Sequence, residues 1–227
     1  MNSIIRVANV VNKVDPLNPQ ACLQHMKASL ETLRDYAPDI VVLPALALSG
    51  ASCGSMYANR TLLEICKEQL DEPHSPISAR ISLPVNDCGR PVSVCAVLHA
   101  GSLVGYLPSF DSPADLLEGR YSDLILPEDT VFSCGDLNFC VSSCDPMNLP
   151  LKAQSISQNN CDLVVVPSYQ PVVAGYVSSC RDIAKNMSAS LGCAISVCNG
   201  GIGELLPQQI CKGFAHLRVW EEMSFAA

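Results

Sequence analysis

The chain has 227 residues, 48% of them hydrophobic, with a formal net charge of −8 and a pI near 4.9. That length supplies one large domain with a buried core, and the acidic balance argues against nucleic acid or an anionic membrane as partner. The 14 Lys and Arg never cluster, and no apolar run approaches the roughly 18–20 residues that span a bilayer.

In chain order, Ile4 to Val11 reads as a first strand rather than a signal peptide, since Met1 to Val11 lacks a cleavage site. A cytoplasmic location is therefore expected. Asn18 suits an N-cap and Pro19 a first helical position. Leu23, Met26, Leu30 and Leu33 then recur at helical spacing, and the helix ends near Tyr36 to Pro38. Ile40 to Leu43 is a buried strand that stops at Pro44 and releases a Gly- and Ser-rich loop reaching Tyr57. A helix is expected over Thr61 to Leu70. Ile81 to Val85, Val92 to Leu98 and Leu103 to Leu107 are strands, joined by turns at Asn86 to Arg90 and Ala100-Gly101.

The second half repeats the pattern. Leu137 to Val141 is a strand ending beside Cys144, followed by a helix over Leu151 to Gln158. Asp162 to Val166 is a buried strand capped by Pro167. A helix over Val177 to Leu191 lines up Cys180, Ala184, Met187 and Leu191. Ala194 to Cys198, Ile210 to Phe214 and Leu217 to Trp220 are the last strands. Asp111 to Asp129 is the longest irregular segment, and loops of that length are usually functional or mobile. With no linker, repeat or low-complexity tract, residues 1–227 are expected to form one layered α/β domain.

The 13 cysteines are an odd number and include no Cys-x-x-Cys. In a chain without an export signal they read as reduced thiols, and most lie in apolar runs where they serve as small hydrophobes, as at Cys95 and Cys198. No metal site is expected. His25, His74, His99 and His216 read as surface or strand residues. Gly200, Gly201 and Gly203 suit a turn with positive φ rather than a phosphate loop, because neither the Lys nor the following helix of such a loop is present.

The stretch Asp39 to Tyr57 resembles the P-E-L-S-L-T-G-Y-S-C-G-D-L-F segment of the nitrilase (carbon–nitrogen hydrolase) superfamily, in the form carried by the glutaminase domain of glutamine-dependent NAD synthetases. Asp15-Pro16 with Asn18, Ile81 to Val85, Cys95 to Leu98 and Gly101 to Gly105 match further segments in the family's order. Asn199 to Glu204 and Gly213 to His216 resemble the late G-G-x-G-E and G-H segments of that branch. The resemblance spans nearly the whole chain. It implies an α-β-β-α sandwich that pairs with a second copy through its helices, as one half of a four-layer-type assembly.

The family uses a Glu-Lys-Cys triad: a thiolate attacks the amide, a carboxylate moves protons and a cation stabilises the oxyanion. The resemblance places the nucleophile at Cys144, with Asp145 similar to the acid after it, while Ser142 replaces the preceding Glu. The base position is Ala45. The Lys position is Ser109, or Val104 in a register shifted onto Tyr106 to Pro108, and no Lys occurs between Lys67 and Lys152. Glu118 is the candidate second acid, and Asp145 and Glu204 are candidate substrate-binding residues.

An ordinary Cys has a pKa of about 8.5, so only a few per cent is thiolate at neutral pH without a base or cation nearby. General-base help is typically worth about 10²–10⁴-fold and an oxyanion donor about 10²–10³-fold. Loss of both leaves little glutaminase. Parallel substitutions at Ser109 and Ser142 favour natural decay of the triad, although an engineered Ala45 would read the same. The leading expectation is a catalytically inactive domain acting through assembly or binding, as a homo-oligomer or with a separate synthetase or other protein subunit, without a cofactor. The alternative is an active thiol amidohydrolase with Cys144 as nucleophile and Asp145, Glu118 or Glu204 as proton carriers. A third reading is a fragment, because the family continues beyond the position of Trp220. The synthetase's S-G-G-x-D-S loop has no counterpart, so NAD synthesis by this chain is not expected.

Overall fold

The computed structural model describes residues 5–10, 19–45, 78–86, 91–99, 102–108, 125–142, 144–168, 175–199 and 218–219. Strands β1 (Arg6–Asn9), β2 (Ile40–Val42), β3 (Ser78–Asn86), β4 (Pro91–His99), β5 (Ser102–Pro108) and β10 (Arg218–Val219) form one sheet, in the order β10-β1-β2-β3-β4-β5. Strands β1, β2 and β3 run parallel, whereas β3, β4 and β5 form an antiparallel meander. Strands β6 (Val131–Cys134), β7 (Leu137–Val141), β8 (Leu163–Ser168) and β9 (Ala194–Asn199) form the second sheet. Here β6 and β7 are a hairpin, turning at Gly135 with φ +58°, and β7, β8 and β9 are parallel.

The alternation of side chains on β8 explains why its sequence is a continuous apolar run. Leu163 and Val165 enter the layer between the sheets, with Ile5, Val7, Ile40, Val42, Phe139 and Ala194. Val164 and Val166 face the other way, onto Cys180, Ala184 and Met187 of helix α3 (Tyr176–Leu191). A strand buried on both faces has no reason to alternate. The expected helical stripe is present, with Leu191 packed at its margin. Gly192 ends α3 in the left-handed conformation, φ +66°, and its N–H reaches the Ser188 carbonyl.

Helix α1 (Pro19–Leu33) links the parallel strands β1 and β2. Their inner face already packs against the second sheet, so the crossover passes over the outer face, where Ala8 and Val41 are also buried. The first sheet, the second sheet and α3 pack in that order, with α1 as the crossover of the first sheet, in keeping with the α-β-β-α sandwich that the resemblance implies.

A short sequence repeat gains its meaning in three dimensions. Asp39-Ile-Val-Val-Leu-Pro44 and Asp162-Leu-Val-Val-Val-Pro167 occupy matching places in the two sheets. At the start of β2, Asp39 accepts the Arg6 N–H at 2.7 Å and returns its own N–H to the Arg6 carbonyl at 2.9 Å. At the start of β8, Asp162 makes the same pair of bonds with Asn138, both at 2.8 Å. Each Asp locks the register of a parallel pair, the geometry least able to fix itself through a tight turn. Between the sheets, Asn9 and Ser196 form a buried polar contact: the amide N–H₂ lies 2.9 Å from the hydroxyl, which lies 3.0 Å from the amide oxygen.

Several elements differ from the sequence expectation. Pro167 does not stop its strand; it sits opposite Cys198 and β8 runs on to Ser168. The chain from Pro146 to Lys152 is a 3-10 helix with Pro150 inside it, and only α2 (Ala153–Gln158) is α-helical. A proline has no N–H for the i→i−4 bond, so the α-helix starts after it. β6 was not expected, because its residues alternate between exposed and half-buried rather than forming an apolar run. The end of the expected irregular segment is ordered against β5, with the Leu126 N–H on the Tyr106 carbonyl at 2.8 Å. The expected helix Thr61 to Leu70, the strand Ile210 to Phe214, the glycines 200, 201 and 203, His74 and His216 lie outside the described residues. No described helix is long and apolar enough to cross a membrane.

Candidate functional site at the carboxyl ends of the parallel strands

The parallel strands of both sheets end on the same side of the sandwich. The Ala45 N–H, just past β2 and Pro44, donates to the Ser168 carbonyl at the end of β8, 3.1 Å away. One backbone bond thus joins the end of the first sheet's strand to that of the second. In α/β sheets ligands bind beyond such carboxyl ends, because the loops diverge there.

Cys144 approaches this end from β7. The Ser142 N–H donates to the Val165 carbonyl at 2.9 Å, which keeps Ser142 beside β8. The chain then turns sharply, with the Cys144 N–H on the Ser142 carbonyl at 3.0 Å. The turn brings the Cys144 thiol to 3.3 Å from the Ser142 hydroxyl. Cys144 is 5% exposed and packs in the core under α3, with Leu149, Val166 and Cys180.

Asp145 anchors the far side of this turn. Its backbone is extended, φ −62° and ψ 129°, and its Oδ1 accepts the Met147 N–H at 2.9 Å, capping the 3-10 helix that opens with Pro146. The same oxygen accepts the Tyr176 hydroxyl at 3.0 Å. The turn carrying Cys144 is therefore tied to the first residue of α3. Burial pushes the Tyr176 phenol well above its usual range, and contacts with Cys180 and Asp145 push it further. Burial likewise raises the Cys180 thiol; the Tyr176 hydrogen bond pulls the other way and the Asp145 charge adds to the rise. Both groups stay protonated beside this carboxylate at neutral pH.

Strand alternation sets a second feature. Ser142, Ser168 and Asn199 follow Cys140, Val166 and Val197 on the face of the second sheet that looks toward α3, and all three are buried. Ser168 and Asn199 are partners in register. An apolar layer thus ends in hydroxyl and amide groups. The Ser168 hydroxyl has no hydrogen-bond partner among the described residues.

The structure places Ser142, Cys144 and Asp145 in one turn after β7, and Ala45 against the Ser168 carbonyl at the end of β8. Ser109, Glu118 and Glu204 lie outside the described residues. Val104, the shifted-register position for the Lys, is 45% exposed in the middle of β5 rather than at a strand end. Lys152 is ion-paired with Glu128. Among the described residues no group of His, Cys, Asp or Glu is placed to hold a metal. Sequence reasoning missed Ser168, Tyr176 and Asn199. The available signal for Ser168 was its place after the second Asp-to-Pro unit, matching Ala45 after the first.

No family model matches the chain, and no curated protein matches it. Solved structures do. An amidase from Nesterenkonia sp. superposes with a TM-score of 0.71 at 15% identity, over 88% of this chain and 77% of that one. The same amidase is described as belonging to the nitrilase superfamily. This chain has the nitrilase-superfamily fold. Glutamine-dependent NAD(+) synthetases from Acinetobacter baumannii and Cytophaga hutchinsonii superpose with TM-scores of 0.73 and 0.68, at 17% and 16% identity. Each match covers 87% of this chain but only 38% and 36% of the respective synthetase, so the nitrilase-fold chain spans little more than a third of their length. In a mutant of the amidase from Nesterenkonia sp. AN1, acrylamide has added to the active-site cysteine.

Proposed function

We propose that this nitrilase-fold domain has lost amide hydrolysis and acts through assembly or binding, as a relative of the glutaminase part of NAD synthetase. The observation that carries the reading is Ala45. At the end of β2, where the resemblance puts the general base, stands a methyl group whose backbone N–H is already engaged by the Ser168 carbonyl. A methyl group moves no protons. The Cys144 thiol, buried and beside a neutral hydroxyl, fits the same reading. The likeness to synthetases makes a second copy, or a synthetase or other protein subunit, the candidate partner. The reading places the chain in the cytoplasm, where its 13 cysteines stay reduced.

Light scattering on the purified full chain, with a pull-down from its native cells, tests the assembly. A homo-oligomer or one stoichiometric partner is expected. A monomer that captures nothing contradicts the proposal.

The active-enzyme reading draws on Asp145, which adjoins Cys144 and is held in place by Met147 and Tyr176. It requires a reactive thiol. Mass-spectrometric mapping after brief iodoacetamide treatment at neutral pH decides it: an unlabelled Cys144 removes this second reading, and selective labelling of Cys144 supports it.

A further inference from the structure

Local bonds close the turn after β7. The Cys144 N–H donates to the Ser142 carbonyl at 3.0 Å. The Met147 N–H donates to the Asp145 Oδ1 at 2.9 Å, and the Asn148 N–H to the Asp145 carbonyl at 2.8 Å. One further bond leaves the turn: the Tyr176 hydroxyl donates to the same Oδ1 at 3.0 Å, across 31 residues of sequence. Tyr176 opens α3, and Cys180, one helical turn on, also meets its hydroxyl. A hydrogen bond accepted by a carboxylate is stronger than one between neutral groups.

The start of α3 is built to open. Gly175 stands at the N-cap with φ +81° and offers no side-chain cap. The Ser178 hydroxyl donates to the Gly175 carbonyl at 2.8 Å, so it satisfies none of the first N–H groups of the helix. Uncapped helix ends open at a much lower free energy than a core does. Beside this end lies Cys144, 5% exposed, in one cluster with Leu149, Val166 and Cys180. Lifting the first turn of α3 uncovers Cys144 while Ala184 and Met187 stay packed. Cys193 is equally buried but lies beyond the other end of α3, so the same motion leaves it covered.

We propose that the bond from Tyr176 to Asp145 is a latch that fastens the first turn of α3 over the Cys144 turn and keeps the thiol covered. Its release, rather than unfolding of the domain, is what exposes Cys144. Tyr176 is thus a positioning residue, acting on Cys144 through Asp145. The inference rests on the reading of Cys144 as a silent thiol and gives that silence a physical hold. It is separate from the loss of the base at Ala45, because an unlatched thiol can be alkylated and still hydrolyse no amide.

Timed alkylation of the full chain with iodoacetamide at neutral pH, mapped by mass spectrometry, reads the rate at each thiol. Tyr176→Phe keeps the ring and removes the donor. Cys144 is expected to be alkylated at least tenfold faster in this variant than in the parent, while Cys193 keeps the parent's rate. Asp145→Asn retains an acceptor oxygen for the Tyr176 hydroxyl and should stay close to the parent, whereas Asp145→Ala should behave as Tyr176→Phe does. Should Tyr176→Phe fail to fold, the two Asp145 variants carry the same comparison. An unchanged Cys144 rate in Tyr176→Phe overturns the proposal. So does equal acceleration of Cys144 and Cys193, which marks general destabilisation, or a folded parent whose Cys144 reacts as fast as in the urea-unfolded chain. The non-hydrolytic reading is judged by a different signal. Ammonia release from amides that vanishes in Cys144→Ala would refute that reading, while selective alkylation of Cys144 in Tyr176→Phe would leave the latch standing.

Discussion

The two Asp-to-Pro units, one in each sheet, are alike where they begin and unlike where they end. Asp39 and Asp162 make the same pair of backbone bonds to the neighbouring strand. Ile40 and Leu163 both point into the inter-sheet layer. After the prolines the correspondence stops: Ala45 offers a methyl group and Ser168 an unsatisfied hydroxyl. The strand starts answer to register and packing, which the same chemistry solves twice. The strand ends face the loops, where a side chain can be costly to the fold and kept for another reason.

If the units are equivalent as structure, Ile40→Ala and Leu163→Ala should cost similar amounts, about 2–5 kcal/mol each, from lost burial and a residual cavity. Urea unfolding of both variants measures this, and one variant near the parent's stability would break the equivalence. The contact between sheets comes next. Asn9→Ala strands the buried Ser196 hydroxyl and should cost about 1–3 kcal/mol. A double-mutant cycle with Ser196→Ala should then show coupling, because removing both partners costs less than the two single losses together.

Asp39→Ala and Asp162→Ala should each cost about 1 kcal/mol, since both carboxylates are partly or largely solvated and their backbone bonds are screened accordingly. Matching values would sharpen the comparison at the strand starts. The same end of the second sheet carries a pH signature. Burial, with Cys161 and Asp162 adding to it, pushes the Cys193 thiol from 9.0 up to about 11. Between those values the folded chain keeps a proton that the unfolded chain has released, so this contribution is full below pH 9 and is lost as pH rises toward 11. Unfolding of parent and Cys193→Ser across that window should show the smaller decline in the variant. The smallest effect belongs to the strand ends: Ser168→Ala should change stability by less than about 0.5 kcal/mol or raise it.

Much of the layer order could be read from the sequence because buried parallel strands are written as apolar runs, and α3 as a 3.6-residue stripe through Cys180, Ala184 and Met187. β6 could not, since an edge strand with half-exposed residues has no comparable pattern. Pro167 misled for a definite reason. A proline ends a helix, but the strand needs only that its missing N–H not be required by the ladder. At the candidate site, Ala45, Cys144 and Asp145 were singled out by family resemblance to motifs close in sequence. The link from Asp145 to Tyr176 and the contact of Ala45 with Ser168 were not, because each joins residues remote in sequence that only the layered fold brings together.

The most direct test of the central claim is ammonia release from glutamine and a small panel of other amides by the purified full chain, measured beside Cys144→Ala. Background release that is equal in the two proteins is the predicted result. Release by the parent that disappears in Cys144→Ala would contradict the account and show that other residues supply the base role that Ala45 cannot and the oxyanion role of the missing Lys.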